Sequence, residues 1–147
     1  MGIYLNPGAG QFLTARSSKI YVDKTMLLRE LDEVFGTEQR FVCVSRPRRF
    51  GKTMAANMVC AYYDRMVTED VFSGLAIARA EGARGRRKCD VLRINMQEFL
   101  SRAQDMEGLL SRLQRIVLRD LLRAYPDVDY FDREDLVECM RDVYQET

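Results

Sequence analysis

Gly51, Lys52 and Thr53 close the run RPRRFGKT at residues 46–53, and their types and order suit the holding of phosphate. Glycine lets backbone N–H groups approach phosphate oxygens, lysine reaches the outer phosphates, and the threonine hydroxyl can bind Mg²⁺. The full pattern G-x-x-x-x-G-K-[ST] has a further glycine at its start, and Arg46 stands in that place. The motif is therefore a degenerate Walker A loop, and its neighbours must support it. Arg48, Arg49, Phe50, Gly51, Lys52, Thr53 and Met54 are the candidate nucleotide contacts, with Thr53 as the candidate Mg²⁺ ligand. Arg48 and Arg49 can serve as bidentate phosphate donors or as solvated loop residues, and the sequence leaves both readings open. No residue stands out as catalytic.

The flanking segments have the character such a loop needs. Residues 41–45, FVCVS, form a run of β-formers without polar alternation, as expected for a parallel strand buried on both faces. Pro47 cannot donate to a sheet ladder and ends it. From Lys52 to about Met66, Met54, Met58, Val59 and Tyr62 recur at helical spacing, so a helix N-terminus would face the anion. Residues 91–96, VLRINM, are a second strand candidate, and the separation allows a helical crossover. These elements predict an α/β, P-loop NTPase-like three-layer fold of parallel strands flanked by helices.

Elsewhere the chain reads as mostly loop over residues 1–19, with turn formers at Asn6, Pro7, Gly8 and Gly10. A short helix carrying Met26, Leu27, Leu28, Leu31 and Val34 follows, capped by Asp23 or Thr25 and stopped at Gly36. Residues 76–87, rich in Ala, Gly and Arg, read as a surface connection. Residues 105–124 carry a broad apolar stripe from Met106 to Leu122, and Asp132 is expected to cap a last helix carrying Leu136, Val137, Met140, Val143 and Tyr144. If part of the stripe is exposed, it offers a route to homo-oligomers.

Composition narrows the chemistry. The chain has 147 residues, 47% hydrophobic and 31% charged, a balance that supports an ordered core. A net charge of +1 gives no general attraction for polyanions. The basic clusters are local, and RGRRK at residues 84–88 lacks interleaved aromatic rings for stacking bases, so specific nucleic-acid binding is not expected. Four widely spaced cysteines and no histidine exclude Ser/His and Cys/His nucleophilic catalysis and give no zinc pattern. Free thiols, no signal-like start and no apolar run of membrane-spanning length point to a cytoplasmic protein that does not enter the membrane.

Taken in order, GIYLNPG from Gly2, YVDKT from Tyr21, SRPRRFGKT from Ser45, AYYD from Ala61 and VFSGLAIA from Val71 resemble the bacterial AAA-ATPase-like family. Its members often carry a C-terminal PD-(D/E)XK nuclease-like domain. In that family the loop reads RPRRFGK[ST], so Arg46 is a family trait. The resemblance implies binding of ATP and Mg²⁺, with Lys52 and Thr53 as phosphate and metal contacts. Tyr21, Asp23 and Lys24 would then line the adenine pocket, by analogy with the box before the loop in related ATPases; the simpler reading is a helix cap and a strand-end tyrosine. An acidic, Walker B-like strand end is not evident, since residues 91–96 have Asn95 where an acid would be sought. The expectation is an N-terminal part of a larger ATPase domain. Within it, residues 1–40 supply loop and helix, 41–66 strand, loop and helix, and 67–147 a second strand and helices. Such a fragment would bind Mg-ATP and hydrolyse it weakly or not at all. The alternative is a non-catalytic protein-interaction or nucleic-acid-binding module using the basic loops.

Overall fold

Helical spacing and helix caps account for most of the regular structure. The computed structural model describes residues 2–45, 47, 49, 51–80, 85–101 and 105–147. Its helices are α1 (Gly10–Arg16), α2 (Leu27–Val34), α3 (Lys52–Tyr63), α4 (Met96–Leu100), α5 (Met106–Ala124) and α6 (Leu136–Glu146), with a 3₁₀ turn at Ala76–Arg79. The described residues sort into two compact units, Pro7–Val91 and Met1–Asn6 with Leu92–Thr147.

The expected parallel sheet is not formed. Among the described residues, bridging is limited to two isolated pairs, Leu5 with Leu92 antiparallel and Asp64 with Cys89 parallel. Residues 41–45 take part in neither, and they lie in water: Phe41 is 84% exposed, Val42 50% and Val44 49%. A central parallel strand requires a ladder on each side and cover on both faces. Apolar, β-branched composition supplies neither, because strand preference reflects a packed surface more than the local backbone. Residues 91–96 fail as a strand for a different reason. After the single bridge at Leu92, the Asn95 side chain accepts the Gln97 N–H at 3.2 Å and turns the chain into α4. The α/β, P-loop three-layer architecture is thus replaced by helices joined by irregular segments.

Within Pro7–Val91 the core gathers Phe12, Leu28, Met58, Ala61, Tyr62, Val71, Phe72 and Ile77. The start of this unit is helical, where turn formers had suggested loop. Phe12 is almost fully buried, stacks on Phe72 with ring centroids 5.0 Å apart, and meets Tyr21 edge-on at 6.4 Å. Burial of such a ring is worth about 1.5–3 kcal/mol, enough to outweigh weak local propensity. Arg16, at the end of α1, donates to the carbonyls of Val71 and Ser73 at 2.8 and 2.7 Å. The α2 helix follows its apolar spacing and stops before Gly36, whose φ of 73° suits glycine.

In the second unit, Tyr4, Phe99 and Leu109 form one cluster, and Leu5, Leu121, Val128, Cys139 and Val143 another that joins α5 to α6. Asp105 caps α5 by accepting the Gly108 N–H at 2.7 Å. The cap of α6 is Asp135, which accepts from Val137 and Glu138, while Asp132 closes a turn onto the Glu134 N–H. The apolar stripe of α5 is divided: Leu109, Val117 and Leu121 are buried, whereas Met106 and Leu110 are exposed. No helix of the described residues is long and apolar enough to cross a membrane. The four cysteines are free thiols, with Cys60 and Cys139 buried.

Candidate functional site

The α3 helix begins where the motif places it. Gly51 is the N-cap with φ 80° and ψ 19°, a left-handed conformation that glycine adopts without a Cβ penalty. Ala55 N–H donates to the Gly51 carbonyl at 2.9 Å and closes the first helical ring. The amides of residues 52–54 precede it and point out of the helix end, as in any α-helix. Gly51 has no side chain to cap them, and the first turn of α3 contains no acidic residue. No acid within that turn therefore offsets the positive end of the helix dipole.

Lys52 and Thr53 are exposed at this end, and Met54 is half-buried. The Thr53 hydroxyl makes no hydrogen bond to a described residue. Arg49 is exposed with φ 67°, also left-handed. Arg48 and Phe50 lie outside the described residues. Residues 49 and 51–54 are thus together at one helix end. The structure adds Lys24, which is exposed: a Cβ built on Gly51 would lie 3.5 Å from its Nζ.

The segment carrying Lys24 is held from both sides. Asp23 Oδ1 accepts from Thr25 N–H at 2.8 Å and from the Thr25 hydroxyl at 2.6 Å, and Oδ2 accepts the Ala76 N–H at 2.8 Å. Thr25 is fully buried, and its hydroxyl oxygen accepts the Ile77 N–H at 3.1 Å. Burial pushes the Asp23 carboxyl upward, but the bonds from Thr25 and Ala76 and the Arg16 charge outweigh it and hold it below its ordinary value. Asp23 closes the turn before α2 and fastens it to the 3₁₀ segment, but the helix itself starts from Met26 without a capping side chain, so neither Asp23 nor Thr25 is its cap.

Two further carboxylates bind the surroundings of α3. Asp32, buried on α2, accepts from the Tyr62 hydroxyl at 2.6 Å, the Tyr63 hydroxyl at 2.9 Å and the Gly85 N–H at 3.2 Å. Burial first, and the adjacent Asp32 carboxylate second, push both phenols well above the usual tyrosine value. Asp64 is fully buried just after α3 and accepts the Gly8 N–H and the Met66 N–H, each at 2.8 Å. Gly8, Asp23, Thr25, Tyr62, Tyr63, Asp64, Ala76 and Ile77 all belong to the sequence words that carry the family resemblance. The words are stitched together by side-chain carboxylates.

Asp32 does not stand out in the sequence, although it lies one turn after Leu28 on the apolar face of α2. The basic run at residues 84–88 has a structural occupation. Arg86 pairs with Asp70 at 2.6 Å and lies over the Phe72 ring, and Arg87 donates to the Glu69 carbonyl. Arg84 lies outside the described residues.

The donor set suits an anion. First-turn amides and the Lys24 ammonium meet at Gly51, Lys52 and Thr53 follow on the same turn, and that turn carries no acid to repel phosphate. For a divalent cation the chain offers the Thr53 hydroxyl, and among the described residues no group of three or more His, Cys, Asp or Glu side chains is placed to hold a metal. Mg²⁺ at this end would depend mainly on phosphate oxygens and water, which is its common mode beside nucleotides.

Comparison with known proteins agrees with the sequence words. The family model described as predicted AAA-ATPase, AAA-ATPase-like, matches residues 8–147. Neither a curated protein nor a solved structure gives a significant match.

Proposed function

Because this chain belongs to the predicted AAA-ATPase family, we propose that it binds ATP with the polyphosphate seated at the N-terminal end of α3. The observation that carries this reading is the corner formed by half-buried Gly51 and exposed Lys52 and Thr53. There a left-handed glycine opens a helix with neither a capping side chain nor a first-turn acid. First-turn amides would donate to phosphate oxygens, and the helix dipole would favour the negative charge. Lys52 would supply a mobile point charge to the outer phosphates. Thr53 would orient its hydroxyl toward Mg²⁺, which when bound neutralises phosphate charge. Arg49 would stand at the loop's outer rim, where its guanidinium can meet phosphate or solvent.

Binding is the function assigned to these residues. Of the three carboxylates, Asp23 fixes the turn that carries Lys24 to this corner, while Asp32 and Asp64 anchor the opposite, C-terminal end of α3. Calorimetric titration of Mg-ATP into wild type and Lys52→Ala tests the assignment. Loss of a charge-assisted phosphate contact should weaken binding by about tenfold or more, about 1.4 kcal/mol. Equal affinity in the two proteins would overturn it.

A further inference from the structure

The placement of Lys24 extends this site beyond its motif. Its backbone has little freedom: Asp23 on one side is bonded to Thr25 and Ala76, Thr25 on the other is buried and bonded to Ile77, and the Lys24 carbonyl accepts the Leu27 N–H at 3.1 Å. Its side chain, by contrast, is exposed and brings Nζ to Gly51. Among the described residues Lys24 joins no ion pair. A long cationic side chain on a pinned turn therefore meets the positive end of α3, whose first turn carries no acid. Like charges in that arrangement repel, and a polyanion between them converts the repulsion into attraction.

We propose that Lys24 is a second phosphate-binding lysine, whose ammonium engages the polyphosphate of a nucleoside di- or triphosphate at Gly51. The inference rests on the reading of the α3 end as the phosphate site. It assigns Lys24 to the phosphates and not to the base. An ammonium carries three donors on a flexible stem, so it can follow phosphate oxygens without a fixed fork geometry. Two lysines acting on the same chain of phosphates should make affinity depend steeply on phosphate number.

The test measures ATP, ADP and AMP by competition against a fluorescent ATP analogue, in wild type, Lys24→Ala, Lys24→Arg and Lys52→Ala. Circular dichroism establishes that each variant is folded, and Lys24 is exposed, so its truncation should leave the core intact. The expected result for Lys24→Ala is about a tenfold or greater loss for ATP, a smaller loss for AMP, and partial recovery in Lys24→Arg. A loss of the same size for all three nucleotides would overturn the phosphate role. Unchanged ATP affinity in Lys24→Ala with a clear loss in Lys52→Ala would overturn the Lys24 assignment and leave the α3 site standing. Unchanged affinity in both would remove the site itself and Lys24 with it.

Discussion

Replacing Asp32 with alanine should be the most damaging single change to the hydrogen bonds that hold the C-terminal end of α3. It strips the acceptor from three donors at once: the Tyr62 hydroxyl, the Tyr63 hydroxyl and the Gly85 N–H. Each buried donor left without a partner costs about 1–3 kcal/mol. Two effects reduce the sum. The space vacated by the carboxylate admits water to some of the donors, and the desolvation cost of a buried charge is returned. A net loss of about 2–4 kcal/mol remains by the same reckoning, a large part of the 5–15 kcal/mol typical of a whole domain. At about 2–4 °C per kcal/mol for a chain of this size, the thermal midpoint should fall by roughly 5–15 °C. The protein has no tryptophan and seven tyrosines, so urea unfolding is best followed by far-UV circular dichroism together with tyrosine fluorescence. Repeating the substitution where Tyr62 and Tyr63 are both phenylalanine separates the network from general damage, since most of the cost should then disappear. A loss below about 0.5 kcal/mol, or the same loss in the phenylalanine background, would refute the reasoning.

The same phenols set the alkaline limit. Tyr62 and Tyr63 keep their protons in the folded protein above 10.0, where the unfolded chain loses them. Their contribution is therefore fully present below that value and is lost as pH rises toward the raised folded values. Urea midpoints should fall from about pH 10 upward, and the double phenylalanine variant should show a flatter decline; an identical decline would count against the network. Gly85→Ala would place a Cβ 2.2 Å from Tyr63 Cε1, forcing the ring off Asp32, with an expected cost of about 1–3 kcal/mol in chemical denaturation. Gly10→Ala is its control, because a Cβ there meets nothing within 4 Å and favours the helix.

What the residue order revealed was chiefly local. Apolar spacing and stop signals located α2 and α5, and the glycine, lysine and threonine order placed the start of α3. Long periodic stretches report their own geometry because one helical face repeats many times. Strands depend on partners elsewhere, so residues 41–45 matched a strand in composition and still lie unpaired among the described residues and exposed. The α1 helix was hidden because its cause is distant: Phe12 packs on Phe72, and Arg16 reaches the carbonyls beyond it. The site divides in the same way. Gly51, Lys52 and Thr53 are adjacent in sequence, whereas Lys24 reaches Gly51 only through folding. Asp23 reads as a helix cap in the sequence, whereas its carboxylate is taken by Thr25 and by the distant Ala76 N–H and leaves α2 without a side-chain cap.

Amide NMR of the ¹⁵N-labelled protein, titrated with Mg-ATP and separately with adenosine, tests the phosphate site most directly. If the polyphosphate sits on the α3 end, the largest ATP-induced shifts should fall on residues 51–54 and on Lys24, and adenosine should leave those amides nearly unmoved. Saturating ATP that shifts amides elsewhere while residues 51–54 stay still would contradict the assignment.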